Sequence, residues 1–384
     1  MVNTAKNPMI QLHTYSEVRE VSGSTGDFRV VIEEKARFVD PRKCTGCEAC
    51  VSKCPTEVPS EFNKYVGTRK AIYVPFPQAV PKVALIDKNS CINCKLCSKT
   101  CQAGAIDYDQ QPNIITTKVG AVIIATGWDE YNLLRHSEYG YGKYPNVITQ
   151  AELERMLSPV GPTGGHVYRI SDGKTPQKLA MIQCVGSRNV KTNPYCSGVC
   201  CMVAMKNAQI LRQEYPDSEI AIFFIDIRAT DKGNEEYFAR IRDKDIKFIR
   251  GIIGEVREDP ETQNLTIRAY SGSTDRIIKY DADLLVLSAG IEPSQGTYDI
   301  AKTMGLDKGP GGFLRETHGC LAPQETKTKG IYICGCAAGP KNIPYSVSSA
   351  LAAAANAASL VTRGIFQQEL LTPVVDVDLC MGCH

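Results

Sequence analysis

Two short runs of cysteines have the spacing that binds iron–sulfur clusters. The first run, CTGCEACVSKCP, contains Cys44, Cys47, Cys50 and Cys54. The second run, CINCKLCSKTCQ, contains Cys91, Cys94, Cys97 and Cys101. Both read C-x2-C-x2-C-x3-C, in which three thiolates bind one [4Fe–4S] cube and the fourth crosses to the other cube. This rule predicts two cluster sites: site I, formed by Cys44, Cys47, Cys50 and Cys101, and site II, formed by Cys91, Cys94, Cys97 and Cys54.

Other uses of these eight cysteines fit the spacing less well. Zinc normally takes two separated C-x2-C pairs, and disulfides are disfavoured in a reducing compartment. Pro55 follows the first run, as is usual for the pattern, whereas Gln102 follows the second, a departure that removes no ligand. The two runs are typical of bacterial-type ferredoxins, so they predict a small α+β domain that carries electrons through two clusters.

A further group of cysteines lies where a nucleotide-binding fold would have its phosphate loop. Residues 178–183 have the pattern of a buried strand, and such a strand normally leads into a glycine-rich turn and a helix. The stretch CVGSRNVKTNPYCSGVCC follows instead, and its cysteines, here called the loop quartet, are Cys184, Cys196, Cys200 and Cys201. Their spacing leaves three interpretations open: a cluster, buried thiols, or a vicinal Cys200–Cys201 pair.

Composition narrows the class of protein. At 384 residues the chain can contain two or three domains. Its formal net charge of +2 gives no indication of nucleic-acid or anionic-membrane binding. The sequence has no apolar run long enough to span a membrane and no apolar signal core at its start, so it predicts a cytoplasmic protein. With 17 cysteines and 5 histidines, extensive metal binding would depend on thiolates.

The elements outside the cysteine runs follow the order of a flavoprotein core. Residues 10–34 alternate like a β-hairpin, residues 119–127 and 283–290 have the pattern of buried strands, and residues 330–339 precede a small-residue helix over 346–358. This order resembles two-dinucleotide-domain flavoproteins such as thioredoxin reductase, which implies an α/β fold with the ferredoxin inserted into it. The resemblance also implies contacts to FAD from Ala125, Thr126, Gly127, Gly335, Cys336, Ala337 and Ser346.

Three departures from that flavoprotein pattern are visible. Cys336 stands where the family has Asp, the N-terminal G-x-G-x-x-G of the FAD domain is not found, and the turn after Gln183 lacks phosphate-binding glycines, which argues against nicotinamide binding.

The predicted domains are, in order, the first part of the FAD-binding domain (1–37), the ferredoxin insert (38–112), the FAD-binding domain continued (113–172), a lapsed NAD(P)H-type domain with the loop quartet (173–290), the end of the FAD-binding domain (291–370) and the start of a second, truncated ferredoxin (371–384).

Taken together, the motifs resemble the flavin and iron–sulfur subunit (the A-type subunit) of heterodisulfide reductase. The likeness covers nearly the whole chain and includes CVGSR…NPYCSGVCC, GCAAGPKNIPYS, RKAIYVPFPQAVP and EYGYGKYPNVIT. It implies that the loop quartet binds a third [4Fe–4S] cluster near the flavin. The partners it implies are subunits B and C of the same complex, a hydrogenase or formate dehydrogenase subunit, and ferredoxin, in a dimer of complexes. Lys206, which follows on the same helix as Cys201, is by hypothesis a neighbour of the flavin N5 edge that stabilises reduced anionic flavin; an ordinary solvated lysine is the alternative.

The resemblance implies that family members extend beyond both ends of this sequence. They carry the FAD G-x-G-x-x-G before its first residue and a further ferredoxin where it stops. Residues 374–384 resemble the opening strand of that ferredoxin and its first two ligands, Cys380 and Cys383. The same CMGCH matches the haem c attachment pattern, but export and an upstream haem domain lack support. FAD binding would then need the missing segment or a partner chain.

These patterns and resemblances predict an oxidoreductase subunit of anaerobic metabolism, such as methanogenesis. FAD would exchange electron pairs and the clusters would carry single electrons, with flavin-based electron bifurcation as the reaction implied by the family. The alternatives are an NAD(P)H-dependent flavin reductase of the thioredoxin-reductase kind and a non-flavin iron–sulfur relay in a quinone-linked complex. Of the remaining thiols, Cys334 and Cys336 are predicted to lie near the cofactor, and Cys320 is predicted to be a core residue.

Overall fold

The structure, a computed structural model, describes residues 2–272, 274–362 and 379–381. Its α-helices are α1 (Val2–Lys6), α2 (Ala49–Ser52), α3 (Leu96–Thr100), α4 (Gln150–Leu157), α5 (Cys200–Glu214), α6 (Asn234–Arg242), α7 (Gln295–Met304) and α8 (Ile343–Thr362). Its strands are β1 (Ser16–Ser24), β2 (Asp27–Glu34), β3 (Glu57–Pro59), β4 (Thr68–Lys70), β5 (Ile72–Tyr73), β6 (Leu85–Ile86), β7 (Asn113–Val119), β8 (Val122–Ile124), β9 (Trp128–Glu130), β10 (Val147–Thr149), β11 (Lys178–Val185), β12 (Glu219–Phe224), β13 (Lys247–Arg250), β14 (Ile252–Glu258), β15 (Leu265–Ser271), β16 (Arg276–Ala282), β17 (Leu284–Ala289), β18 (Ile291–Pro293) and β19 (Ile331–Ile333). None of the helices in this described part combines the length and the hydropathy of a membrane span.

A five-stranded parallel sheet carries the largest core, with the strand order β10-β17-β11-β12-β13. Strands β11 and β17 are apolar along nearly their whole length because a parallel sheet is covered on both faces. Leu179 and Met181 of β11 pack against helix α5 on one face. Ala180 and Ile182 pack on the other face, against the antiparallel sheet β14-β15-β16. The prediction of an α/β core is confirmed.

The segment that carries the two cysteine runs forms a small α+β unit between β2 and β7. Its two short helices, α2 and α3, contact each other, and each lies inside one cysteine run. Strand β5 pairs with β6, and Val39 forms an isolated bridge with Ile106. Buried Cys50 and Cys97 belong to the hydrophobic core of this unit. The cysteine runs are therefore part of its packing and do not lie on a loose surface loop.

A second group of strands surrounds the predicted flavin contacts. The predicted hairpin is present as β1 and β2, and β7 extends it to a three-stranded antiparallel sheet. Strand β8 pairs in parallel with β19, and helix α8 packs against this pair. The strand predicted over 119–127 is instead divided between the end of β7 and the short β8. The reason is that the chain changes its partner at Gly120, from β2 to β19.

Candidate redox sites

The two cysteine runs adopt the same backbone conformation. Gly46 and Asn93, two residues after the first cysteine of each run, have φ values of 69° and 56°. Glu48 and Lys95, which precede α2 and α3, both have a φ of 59°. These left-handed residues wrap each run tightly, and the last cysteine of each run then emerges beyond its helix. This geometry directs the fourth cysteine away from the other three of its own run.

The structure brings together the four cysteines that the crossing rule assigns to site I. Its four cysteines line one cavity of about 420 Å³, so Cys101 of the second run joins three cysteines of the first. Burial, followed by the neighbouring Cys44, raises the pKa of the Cys50 thiol to about 11. An unbound thiolate is therefore disfavoured at this position, and a bound cation would compensate the charge. The donor set and the enclosed space fit an iron–sulfur cube.

Site II repeats the arrangement around a smaller cavity. Its four cysteines line that cavity together with apolar residues that include Ile72 and Ile86. Cys97 is buried and Cys94 is exposed, which matches Cys50 and Cys47 of site I. Within the described ranges, no three His, Cys, Asp or Glu side chains gather as ligands of a single metal ion. The two cavities nevertheless separate the eight cysteines into the two predicted sets of four, whose role as cluster ligands stays a prediction.

The loop quartet comes together at the carboxyl end of β11 and the start of α5. Cys184 has a φ of 64° and lies in an irregularity of the pairing between β11 and β17, which turns its side chain out of the strand alternation. Cys200 and Cys201 form the first turn of α5. Burial, then Cys201, raises the pKa of Cys184 to about 11, and burial, then Cys201 and Cys184, raises that of Cys200 to about 12. The four sulfurs therefore lie within electrostatic range of one another.

Positive charge compensates this concentration of sulfur. The Arg188 guanidinium lies close enough to Cys184 to favour its thiolate, and it forms an ion pair with Asp226 after β12. The amino-terminal end of α5 adds the positive pole of a helix of 15 residues beside Cys200 and Cys201. Both features favour thiolate over thiol and favour a bound group of net negative charge. The loop quartet therefore also fits an iron–sulfur cluster.

The loop between Cys184 and Cys200 is held against β18 rather than left free. The Ser197 hydroxyl, 2.7 Å from that of Ser187, accepts a hydrogen bond of 2.8 Å from the Ile291 amide. The Tyr195 hydroxyl donates to the Ile291 carbonyl at 3.0 Å, and the Asn193 side chain donates to Glu292 at 3.1 Å. These contacts fix Cys196, although it is itself exposed.

An apolar pocket of about 370 Å³ opens beside the loop quartet. Its walls include Phe62 of the ferredoxin insert, Trp128 of β9, Cys200 and Val203 of α5, and Ala289 at the end of β17. Ligands of open parallel sheets bind outside the carboxyl ends of the strands, where the strand order reverses, and β17 and β11 lie at such a reversal. The pocket therefore has the position, size and apolar lining of a ring-binding site.

Lys206 does not itself line this pocket but pairs with a residue that does. Its ammonium forms an ion pair with Glu154 of α4, and Glu154 is one of the pocket residues. The Lys206 side chain is 47% exposed. Its hypothetical role beside the flavin N5 edge stays a prediction.

The predicted flavin contacts converge from two adjacent strands. Ala125, Thr126 and Gly127 follow β8, and Gly335, Cys336 and Ala337 follow β19, so both groups leave the same edge of one parallel pair. Ser346 lies in the first turn of α8, close to Gly335. The Thr126 hydroxyl is 2.6 Å from that of Thr297, and the Gly335 amide donates to Ser349 at 2.9 Å. The ligand role of these residues stays a prediction.

The remaining cysteines differ from one another in burial. Cys334 and Cys336 are buried next to the predicted flavin contacts, whereas Cys320 is exposed, so the prediction of a core residue at Cys320 is wrong. Its segment, residues 315–325, consists of turns and isolated bridges at the surface, where the adjacent Leu321 is also exposed. Cys380 is exposed, and Cys383 lies outside the described residues.

Known proteins resemble this chain over its whole length. Residues 37–60 and 84–107 match the family of 4Fe-4S binding domains. The chain is 50% identical to the A-type iron-sulfur subunit of the CoB–CoM heterodisulfide reductase of Methanocaldococcus jannaschii, an alignment that covers 100% of this chain and 59% of that protein. The chain belongs to the family of A-type subunits of heterodisulfide reductase. It is also 50% identical to the corresponding subunit of the H2/formate:CoB-CoM heterodisulfide,ferredoxin reductase of Methanococcus maripaludis, with 100% of this chain and 58% of that protein covered.

This member of the heterodisulfide reductase family thus spans less than two thirds of the curated relatives it matches. The prediction of a ferredoxin insert is confirmed, because the two matched segments contain the two cysteine runs. Among solved structures, thioredoxin reductase of T. acidophilum matches with a TM-score of 0.41 and 14% identity, over 77% of this chain and 84% of that chain.

Sequence reasoning missed several residues of these sites. Arg188 belongs to the CVGSR motif, but its contact with Cys184 depends on the turn between them. Phe62 and Trp128 reach the pocket from segments that are 66 residues apart in the chain, and both lack a motif. The signal that could have found Arg188 is its place in a cysteine-rich turn after a buried strand, where an anionic group needs a counter-charge.

Proposed function

We propose that this chain is the electron-transferring flavin and iron–sulfur portion of a heterodisulfide-reductase-type complex. The observation that carries the proposal is the position of Cys200, which belongs to the loop quartet and also forms part of the wall of the apolar pocket. A one-electron carrier held by the quartet would be in direct contact with a ring bound in the pocket. Sites I and II would extend the path through the ferredoxin insert.

Under this proposal, the residues of the chain have three roles. Sites I and II and the loop quartet supply the thiolates for three [4Fe–4S] clusters. The residues that follow β8 and β19, together with Ser346, would hold FAD, which, when bound, supplies two-electron chemistry that single-electron clusters lack. Arg188 and the start of α5 hold positive charge beside the quartet, and Phe62 and Trp128 form apolar walls of the pocket.

The proposal also extends to electron bifurcation and to the partner subunits. The names of the relatives include H2, formate, ferredoxin and the CoB–CoM heterodisulfide. By extension, this chain would work with subunits B and C, with ferredoxin and with a hydrogenase or formate dehydrogenase subunit, in a dimer of complexes. Residues 374–384, with Cys380 and Cys383, would begin a further ferredoxin.

The principal alternative is an NAD(P)H-dependent flavin reductase. In a nicotinamide domain, an acidic residue after the second strand accepts hydrogen bonds from the adenosine ribose. Asp226 has that position after β12, but Arg188 and Arg228 both pair with it and lower the pKa of its carboxyl. These pairs compete with the ribose of NAD(H), whereas arginines at this place do not argue against the 2′-phosphate of NADP(H). The segment after Gln183 also lacks the glycine-rich turn that binds the phosphates of a dinucleotide. The loss of this turn weighs against both nicotinamide cofactors and favours the electron-relay proposal.

Reduction by NADPH distinguishes the two functions. We expect NADPH to leave the visible absorbance of the anaerobically purified, FAD-supplemented protein unchanged, because the turn after Gln183 lacks the glycines that bind the pyrophosphate. Dithionite, a one-electron donor, should bleach the iron–sulfur absorbance of the same sample and is the control. Bleaching by NADPH at a comparable rate would support the alternative function.

Lys206→Ala tests the hypothetical flavin contact. If the ammonium lies beside the flavin, its loss should raise the pH at which reduced, bound flavin becomes anionic, because a nearby positive charge favours the anion. The pH dependence of the reduced-flavin absorbance, measured in the FAD-loaded complex, reads this directly. Glu154→Gln is the matched control, since it keeps the ammonium but removes its carboxylate partner. An unchanged pH dependence in Lys206→Ala would leave Lys206 as a surface ion-pair residue.

A further inference from the structure

The ferredoxin insert is an internal repeat, so residues of its two halves can be compared position by position. Each cysteine of the first run lies 47 residues before its counterpart in the second, and the two matched ferredoxin segments begin 47 residues apart. The paired positions follow the same repeat. Val39 bridges Ile106, and Ile86, which is the counterpart of Val39, pairs with Ile72. Ile72 and Ile106 are therefore equivalent positions, although the chain between the runs is longer than the repeat needs.

The residue two positions beyond each of these isoleucines faces a cluster site. Tyr108 lines site II, and Val74 lines site I. The Tyr108 hydroxyl lies 2.9 Å from the Cys97 sulfur. With Cys97 as a thiolate ligand, the hydroxyl must be the donor, because the sulfur then carries no proton. Val74 has no group that could donate to a sulfur of site I.

The charged residues beside the two sites also differ: a positive side chain lies at site II where a negative one lies at site I. Lys95 lines site II, and its counterpart Glu48 lines site I. The Glu48 carboxylate is partly offset by Lys82, at 2.6 Å, but both of these side chains are more than two fifths exposed, and solvent weakens such a pair. Lys88 adds a second positive charge near site II, with its ammonium 5.0 Å from the centre of the Tyr108 ring.

We infer that site II has the higher reduction potential of the two, and that an electron entering the insert comes to rest there. Reduction adds negative charge to a cluster, and a hydrogen bond to a ligand sulfur or a nearby positive charge stabilises that reduced form. Tyr108 and Lys95 act on site II, whereas Val74 and Glu48 occupy the same positions at site I. One electron passes from the cluster at site I to the cluster at site II, with no bond made or broken and no proton moved.

Tyr108→Phe tests the hydrogen bond. In an anaerobic redox titration followed by electron paramagnetic resonance, the two insert clusters should give separate one-electron waves. We expect the variant to lower the reduction potential of the higher wave by about 59 mV, which corresponds to a tenfold change in the one-electron reduction equilibrium. The potential of the lower wave should not change. Tyr73→Phe is the matched control, because Tyr73 precedes Val74 and its ring contacts Arg69 rather than a cysteine. A shift of the lower wave, or no shift, would overturn the inference.

Charge neutralisation gives a second measurement. Lys95→Gln should lower the upper wave and Glu48→Gln should raise the lower wave, so that the two waves approach each other in both variants. The opposite pair of shifts would contradict the inference even if Tyr108→Phe misfolds.

This inference rests on the proposed electron-transfer function, because both sites must hold clusters. Iron and labile sulfide, measured on the same samples, separate the two levels of failure. A full complement of insert clusters with unshifted potentials would reject only the assignment of the higher potential to site II. A protein that takes up no insert clusters would reject the electron-relay proposal itself.

Discussion

The double variant Cys200→Ala/Cys201→Ala is expected to contain about eight irons per chain, against about twelve in the unaltered protein. The loop quartet gathers its four cysteines from the end of β11, the loop and the start of α5, so removing two of them leaves too few ligands for a cube. Iron and acid-labile sulfide, measured on anaerobically purified protein, give this ratio. The two clusters of the ferredoxin insert should remain, because sites I and II share no ligand with the quartet.

Cys320→Ala is the control for this experiment, since it removes an exposed thiol that belongs to none of the three sites. It should keep about twelve irons. The resonance signals of the insert clusters show whether the double variant is still folded. About eight irons in both the unaltered protein and the double variant would mean that the quartet holds thiols and no cluster.

Gly186→Ala is expected to destabilise the protein by about 2–5 kcal/mol, with loss of the quartet's iron. Gly186 follows Cys184 in the turn and has a φ of 75°, which an L side chain adopts at a cost. An added Cβ would also lie 2.3 Å from ring atoms of Tyr131, a buried side chain that cannot move away without disturbing its core. Denaturant unfolding of the loaded protein measures the loss of stability.

Gly198→Ala is the matched control for the steric part of this effect. Gly198 belongs to the same loop and has nearly the same φ, 73°, but a Cβ there would meet nothing within 4 Å. Its cost should be limited to the backbone strain, about 1–2 kcal/mol. If the two alanine variants lose the same free energy of unfolding, Tyr131 does not lie as close to the turn as described above.

The parts of the sites that sequence reasoning found are those encoded by local spacing. Three ligands of each insert cluster fall within seven residues, so the C-x2-C-x2-C pattern indicates them without knowledge of the fold. The strands β11 and β17 were predicted nearly to their ends, because a buried parallel strand is apolar along its whole length. In contrast, β8 is much shorter than predicted, since apolar character does not reveal where the chain changes its pairing partner.

The sequence by itself predicted which cysteines would gather at sites I and II, and it determined the α/β core and the place of the loop quartet after β11. Only the tertiary structure decided which groups surround those cysteines. Tyr108 meets Cys97 because the segment after the second run, which is bridged to Val39 through Ile106, returns across the cluster site. Phe62, Trp128 and Cys200 meet in one pocket although their segments are distant in the chain. The burial of Cys334 and the exposure of Cys320 were decided in the same way. Ligand spacing is a property of a few neighbouring residues, whereas burial, charge and hydrogen bonds at a cluster depend on how distant segments pack.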